Sequence, residues 1–148
     1  MSEELFEAAT GDGPPVPQEG SDRATEVRKA FAGLTQIRRL TGTAPAAWEL
    51  NQMVRAVALA LEAAGMSPSA VGADGTRVAT GYRVRPGDRP GMVCVDWLGP
   101  AGSGAAQEEE QRLGECAEAL GAASWEALLY RGPRRRRFLE VEPAPARP

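Results

Sequence analysis

The sequence predicts an α+β domain with the element order α-α-β-β-α-β-β, in which helices pack on one face of a four-stranded antiparallel sheet. Apolar residues recur at helical spacing before Gly65 and at a spacing of two in two runs after Thr76. A third helical segment then precedes a second pair of alternating runs. Since that helix lies between two hairpins, it packs most simply across a single sheet, which makes α+β the expected class.

The composition fits one domain with disordered ends. The chain has 148 residues, a net charge of -3 and 43% hydrophobic residues, and a chain of this length can bury most of its apolar surface without disulfides. The first 20 residues are acidic and rich in proline and glycine, so we expect a disordered tail at 1–20. A single domain at 21–142 and a flexible tail at 143–148 complete the predicted organisation.

Two helices are expected in the first half of the domain. Ser21 or Asp22 caps the first helix, which ends at Gly42. The second helix covers 46–64 and ends at Gly65, and its apolar residues form a stripe at helical spacing. Because the loop between the two helices is short, they should pack antiparallel.

The first hairpin is expected around a turn at Gly87 and Asp88. The strand on each side of this turn alternates apolar and polar residues. A two-residue turn at this point brings both apolar sets onto one face, as a half-buried hairpin requires. It predicts the cross-strand pairs Val84 with Gly91, Tyr82 with Val93, Thr80 with Val95 and Val78 with Trp97.

A helix over 105–123 and a second hairpin complete the domain. The hairpin strands are 124–131 and 137–142, and the tip between them is 132–136. The helix residues expected to face inward are Leu113, Cys116, Ala117 and Leu120. The expected hairpin register pairs Leu129 with Leu139 and Ala127 with Val141.

The residues that usually carry chemistry are scarce. The chain contains no histidine, which excludes histidine-dependent catalytic triads and imidazole metal sites. Cys94 and Cys116 lack the spacing of a zinc site and are expected to be buried, reduced thiols. Asp96 is the one acid inside an apolar strand, and we expect it to form a surface ion pair diagonal to Arg77. We therefore expect no enzyme activity, no cofactor and no metal.

A glycine-rich loop, GPAGSG at 99–104, joins a strand to the helix over 105–123. Loops in this position often hold phosphate at a helix N-terminus. The spacing here fits neither the Walker motif nor GxGxxG. Three glutamates, 108–110, open the helix and would repel a phosphate. The segment is therefore interpreted as a flexible loop.

Four consecutive arginines lie at the tip of the second hairpin, and two interpretations of them stay open. The glutamates at 140, 142 and 108–110 could neutralise them within the fold. Alternatively, a basic sheet face with an arginine-rich tip could bind a phosphate backbone. The candidate anion- or nucleic-acid-binding residues are Arg134, Arg135, Arg136, Arg137, Arg83 and Arg85. Arginine supplies 16 of the 17 basic residues, a bias typical of a high-GC bacterial genome, and this makes the block less specific as a motif.

The favoured function is a non-catalytic protein–protein interaction module, such as an adaptor, an assembly factor or a chaperone-like factor. It would bind another protein of the same cell or form a homodimer, through the second helix and the outer edge of the sheet. The candidate partner-surface residues on that helix are Trp48, Met53, Val57 and Leu61. The alternative is a nucleic-acid-associated protein that uses the arginine-rich tip. No apolar run approaches the roughly 20 residues that cross a bilayer, so we expect a cytoplasmic protein without membrane contact.

Overall fold

A computed structural model describes residues 7–16 and 21–145 of the chain. Its elements in order are α1 (Ser21–Thr41), α2 (Ala47–Asn51), α3 (Met53–Ala63), β1 (Ala70–Val71), β2 (Arg77–Ala79), β3 (Gly81–Pro86), β4 (Val93–Leu98), α4 (Ala105–Ala122), β5 (Trp125–Arg131) and β6 (Arg137–Pro143). A 3-10 turn, Pro133–Arg135, joins β5 to β6. The α+β class and the four-stranded antiparallel sheet that the sequence predicts are confirmed.

The main sheet has the strand order β3-β4-β6-β5, so β3 and β5 form its two edges. Helices α3 and α4 pack against one face of this sheet, and β1 and β2 form a separate two-stranded sheet. The alternation of apolar and polar residues along each strand aims one set of side chains at those helices. The sheet residues buried in the core are Tyr82, Val84, Val93, Val95, Trp97, Trp125, Leu139 and Val141. Helices contribute Val57, Leu61, Leu113, Cys116 and Leu120.

The second hairpin has the register that the sequence predicts. Leu129 lies opposite Leu139, and Ala127 lies opposite Val141. The tip spans the expected residues, and Gly132 donates its N–H to the carbonyl oxygen of Arg136 at 2.6 Å to close it. The predicted inward face of α4 is confirmed as well, since its large apolar residues are fully buried.

The first hairpin differs from its predicted register by four residues. Tyr82 lies opposite Trp97, and Val84 lies opposite Val95. The predicted two-residue turn would place Pro90 inside a paired strand, where proline cannot donate a ladder hydrogen bond. Instead, Gly87 donates its N–H to the carbonyl oxygen of Met92 at 2.9 Å and closes a longer loop. Because four is an even shift, Tyr82, Val84, Val93, Val95 and Trp97 still face the core. Val78, predicted to pair with Trp97, instead lies in β2, which pairs with β1, and is 47% exposed.

The predicted helix over 46–64 is two helices, because the chain turns at Gln52 between α2 and α3. The carboxylate of Glu49 on α2 is fully buried. It accepts hydrogen bonds from Arg38 on α1, at 2.6 and 2.8 Å, and from the backbone N–H of Ala46 at 2.7 Å. This charge-assisted cluster fixes α2 against α1 and satisfies an otherwise costly buried charge.

Residues 7–16, which belong to the predicted N-terminal tail, form hydrogen bonds to the domain. Ala9 accepts a hydrogen bond from the Tyr82 hydroxyl at 2.9 Å and donates its own N–H to Glu62 at 3.1 Å. Gly13 accepts one from the N–H of Val71 at 2.9 Å. This segment therefore packs on the domain. The rest of the predicted tail, 1–6 and 17–20, lies outside the described residues.

At the other end of the chain, the ladder of the sheet runs past the predicted domain boundary at residue 142. Pro143 belongs to β6, and Ala144 donates its N–H to the carbonyl oxygen of Ser124 at 3.1 Å. Of the predicted flexible tail, residues 146–148 lie outside the described part of the chain.

Candidate interaction surface

The backbone of β5 directs one set of its hydrogen-bonding groups away from the sheet. At the two ends of the hairpin, the Gly132 N–H donates to the carbonyl oxygen of Arg136 and the Ser124 carbonyl accepts from the N–H of Ala144, the two residues that flank β6. Antiparallel ladders alternate between residues bonded to the neighbouring strand and residues whose N–H and C=O point the other way. The even-numbered residues of β5 therefore bond to β6. The N–H and C=O groups of Ala127, Leu129 and Arg131 point outward from the edge.

Three consecutive large apolar side chains lie on this edge. Leu128, Leu129 and Tyr130 are 50%, 43% and 42% exposed, and we call them the edge patch. Leu128 and Tyr130 lie on the face of the sheet opposite the helices, while Leu129 lies on the helix side. The Tyr130 ring stacks on Phe138 of β6, with ring centroids 6.1 Å apart. An edge strand that combines exposed apolar residues with outward backbone groups is a site for pairing with another strand.

The opposite edge of the sheet, along β3, is covered by the chain itself. Tyr82 donates its N–H to the carbonyl oxygen of Ser67 at 3.0 Å and accepts from the N–H of Ser69 at 2.8 Å. Val84 donates its N–H to the carbonyl oxygen of Thr10 at 2.7 Å. Within residues 7–16 and 21–145, no segment makes the corresponding bonds to the outward groups of β5. The two edges of this sheet are therefore unequal.

Gly11 allows the N-terminal segment to approach β3. A side chain at this position would place its Cβ 2.3 Å from the carbonyl oxygen of Tyr82 and 2.6 Å from the Cα of Arg83, and the φ of Gly11 is +99°. Asp12 beside it pairs with Arg77 at 2.5 Å. The cover that residues 7–16 provide on this edge thus depends on a residue without a side chain and is reinforced by the ion pair of Asp12 with Arg77.

The outer face of β3 and β4 carries a paired charge cluster. Asp96 accepts hydrogen bonds from Arg83 at 2.8 and 3.0 Å and from Arg85 at 2.8 Å. The hydrogen bond to Asp96 raises the pKa of Arg85. The predicted ion pair of Asp96 is present, but its partners are these two arginines; the predicted partner, Arg77, pairs with Asp12. The candidate residues Arg83 and Arg85 are thus already bonded to a carboxylate.

The structure places the four arginines of the tip in different environments. Arg134, at a φ of +63°, and Arg136 are exposed. Arg137 is partly buried, its N–H donates to Glu109 at 2.6 Å, and its guanidinium lies 3.9 Å from Glu110. The glutamate run on α4 therefore neutralises one member of the block, as one of the two interpretations predicts. The side chain of Arg135 lies outside the described part of the structure.

The residues predicted as a partner surface on the second helix separate into two groups. Val57 and Leu61 are fully buried and Met53 is buried as well, so these three side chains belong to the core. Trp48 on α2 remains 45% exposed. Other exposed apolar side chains of α1 and α2 are Ile37, Leu40 and Leu50. Backbone groups of helices are bonded internally, so this region offers a partner only side-chain contacts.

Groups suited to catalysis are not assembled in the described residues. Cys94 and Cys116 are buried thiols without a disulfide, as predicted. Burial raises the pKa of both, that of Cys116 to about 12, so both stay protonated and weakly nucleophilic at neutral pH. Within residues 7–16 and 21–145, no three potential ligands cluster to hold a metal ion. The loop 99–104 lines an open cleft of about 390 Å³ that also includes Glu109 and Arg136.

The sequence interpretation missed the edge patch. It placed Leu128, Leu129 and Tyr130 in a strand and paired Leu129 with Leu139, which the register confirms, but it named none of the three as a candidate surface residue. Three large apolar residues in a row cannot all face one side of a strand, and this run was the available indication of an exposed apolar surface. Which strand forms an edge depends on the order of the strands in the sheet, and this order cannot be predicted from the local sequence.

Comparison of the chain with models of protein families, with curated proteins and with solved structures finds no match. The helices in the described part of the chain include none that is long and apolar enough to cross a membrane. The function of the β5 edge is therefore inferred from its geometry.

Proposed function

We propose that the chain is a non-catalytic protein–protein interaction module that binds an extended segment of its partner along the edge of β5. The observation that carries this proposal is the row of outward N–H and C=O groups at Ala127, Leu129 and Arg131 beside the exposed edge patch. Extended peptides bind such edges by adding a strand, with affinity from backbone hydrogen bonds and specificity from alternate side chains. An adaptor, an assembly factor or a chaperone-like factor could use the edge in this way.

The side chains around the edge define the segment that fits. On the outer face, Leu128 and Tyr130 favour apolar residues two apart in the bound strand, because cross-strand pairs on one face are in contact. Glu126 at one end favours a basic residue, and Arg131 at the other end favours an acidic one. The expected ligand is therefore an extended segment with an alternating apolar pattern and opposite charges at its ends.

We propose that the module is non-catalytic and lies in the cytoplasm. The chain contains no histidine, and both thiols are held protonated by burial. Unbridged cysteines are typical of compartments that keep thiols reduced.

The test selects random peptides from a displayed library for binding to the purified full chain. The chain is immobilised at low density so that its copies do not contact one another. We expect the recovered peptides to share an alternating apolar pattern and to bind in solution. The matched variant is Leu129→Pro, which removes an outward N–H without removing a bond to β6. Binding should fall about 100-fold in this variant, because backbone bonds and apolar contact are both lost.

Two results would contradict this proposal. One is that no peptide family is recovered. The other is that the recovered peptides bind Leu129→Pro as tightly as the unmodified chain while binding is lost on substituting Trp48 of α2, which would move the interface to the helices.

The exposed arginines at the tip support a second candidate function, binding of nucleic acid. Arg134 and Arg136 are exposed and lie beside Arg131 at one end of the hairpin. Fluorescence anisotropy of labelled duplex and single-stranded DNA and RNA tests it, with a variant in which residues 134–137 are serine. Binding that weakens steeply with salt and disappears in the variant would favour this candidate over the protein-interaction module. The protein-interaction proposal predicts no binding at physiological salt.

A further inference from the structure

We infer that the partner on the β5 edge is a second copy of this chain, with the two β5 strands antiparallel about a two-fold axis. The two four-stranded sheets then form one continuous eight-stranded sheet. This inference rests on the proposed function, because it assigns an occupant to the same edge. Three observations support it: the charges along the hairpin, the cover on the opposite edge, and the position of the outward groups on β5.

Like charges face each other at both ends of the hairpin. At one end Glu126 lies directly opposite Glu142, and at the other Arg131 lies directly opposite Arg137. Like charges directly opposite across a ladder are destabilising. The basic end also carries the exposed Arg134 and Arg136. Glu142 pairs with Arg89 and Arg137 with Glu110. The charges that remain exposed are Glu126 at one end of the hairpin and Arg131, Arg134 and Arg136 at the other.

An antiparallel second copy brings these unlike ends together. The acidic end of each β5 then lies beside the basic end of the other, twice in one interface. A parallel arrangement would place acid against acid and base against base. The chain is thus complementary to itself in one orientation only, and that orientation has the two-fold symmetry of most soluble homo-oligomers.

The covered edge of β3 limits the assembly to two copies. Both outward backbone groups of Tyr82 and the outward N–H of Val84 are bonded by Ser67, Ser69 and Thr10. A copy that pairs through β5 consequently presents no second open edge of the same kind. Pairing therefore closes as a dimer, whereas a sheet with two open edges would extend as a fibre.

The alternation of the ladder specifies the register. The outward groups belong to odd-numbered residues, so bonded pairs between copies join odd residues to odd residues. Trp125 is buried, and the accessible part of the edge begins at Glu126. Centring the pair on Leu129 uses that part fully. Leu129 bonds to Leu129 of the second copy, and Ala127 bonds to Arg131 of the second copy in both directions, which makes six hydrogen bonds.

This register also unites the exposed apolar residues. On the outer face, Leu128 lies opposite Tyr130 of the second copy, and the same contact recurs across the axis. Phe138, which already stacks on Tyr130, extends the cluster within each copy. Glu126 and Arg131 of the second copy occupy neighbouring ladder positions, with backbones about 6 Å apart and side chains on opposite faces of the sheet, so their charges interact at low salt without a direct ion pair.

Sedimentation velocity and light scattering of the full chain, from micromolar to millimolar concentration at low salt, test the inference. The mass should rise from 15.6 kDa to twice that value and stop there. Leu129→Pro should weaken the dimer about 100-fold, since it removes the central pair of hydrogen bonds and two leucine contacts.

Charge-reversal variants show whether Glu126 and Arg131 act between the two copies or only stabilise the fold of each copy. Glu126→Arg and Arg131→Glu should each weaken the dimer about tenfold, because each makes both ends of the hairpin alike in charge. Mixing these two variants should restore association as a heterodimer, and the double variant in one chain should restore the homodimer. Circular dichroism of each variant confirms that the fold is retained.

Three results would overturn the inference. They are a mass that stays at 15.6 kDa up to millimolar concentration, a dimer that persists in Leu129→Pro, and no rescue on mixing the reversed variants. If the chain stays monomeric but the peptide selection recovers edge binders, the proposed function stands and only the second copy is rejected. If the selection fails as well, both are rejected.

Discussion

The two edges of the main sheet differ in whether the described chain covers their outward backbone groups. Along β3, residues Ser67, Ser69 and Thr10 bond to the outward backbone groups of the strand. Along β5, three apolar side chains lie exposed beside outward groups that the described part of the chain leaves to solvent or to a partner. Natural sheets usually shield their edges with charge, proline, bulges or covering segments. In the described part of the chain only the β3 edge is covered, and we propose the β5 edge as the binding edge for this reason.

The largest expected effect comes from two proline substitutions at neighbouring positions of β5. Leu128→Pro removes an N–H that bonds to β6, whereas Leu129→Pro removes one that points outward. We expect Leu128→Pro to lower the free energy of unfolding by roughly 3 kcal/mol and Leu129→Pro to lower that of the dilute monomer by less than about 1 kcal/mol. Urea denaturation measures both. Equal losses would show that β5 is bonded on both sides.

A second prediction concerns the β3 edge, part of which is covered by residues 7–16. Gly11→Val places a branched side chain against the backbone of Tyr82 and Arg83 at a left-handed φ, which should displace residues 7–16 from β3. We expect the free energy of unfolding to fall by about 1–3 kcal/mol. The amide of Val84 should then exchange faster with solvent, while that of Tyr82 stays protected because Ser67 still bonds to it. Amide hydrogen exchange by NMR checks this, and a Val84 amide as protected as in the unmodified chain would contradict the role given to residues 7–16.

A smaller effect is expected from Tyr82→Phe. The buried hydroxyl donates to the carbonyl oxygen of Ala9 at 2.9 Å and lies 3.4 Å from that of Ala58. Its removal should cost about 1–2 kcal/mol, because the acceptors lose a buried donor. The loss should be much smaller in a chain that lacks residues 1–16. Equal losses with and without those residues would show that the hydroxyl does not hold the N-terminal segment.

Much of the fold could be predicted because local patterns and tertiary packing agree. The register and the tip of the second hairpin were predicted correctly, since Gly132 and Pro133 favour a turn and the alternation on each side fits this register. For the first hairpin, the core-facing side of the paired strands was predicted correctly but the cross-strand register was not. The strands flank several glycines and prolines, and each of these can form a turn. Only the inability of Pro90 to pair inside a strand favours the longer loop.

The rest depended on contacts that a local pattern does not contain. The break between α2 and α3 occurs at Gln52, where neither proline nor glycine marks it, and the buried pair of Glu49 and Arg38 holds α2 in place. The packing of residues 7–16 requires the close approach at Gly11, which an acidic segment rich in proline and glycine does not reveal. The position of β5 at an edge follows from the strand order alone.

The most direct test of the account is amide hydrogen exchange by NMR on the full chain, at low and at high protein concentration. At low concentration we expect the amide of Val84, which bonds to Thr10, to be protected and that of Leu129 to exchange rapidly. The amides of Leu128 and Tyr130, which bond to β6, should be protected at both concentrations. Raising the concentration should protect Leu129 and leave Val84 unchanged. A Leu129 amide that is protected in the dilute chain, or that stays unprotected when the chain is concentrated, would contradict an open edge that pairs with a second copy.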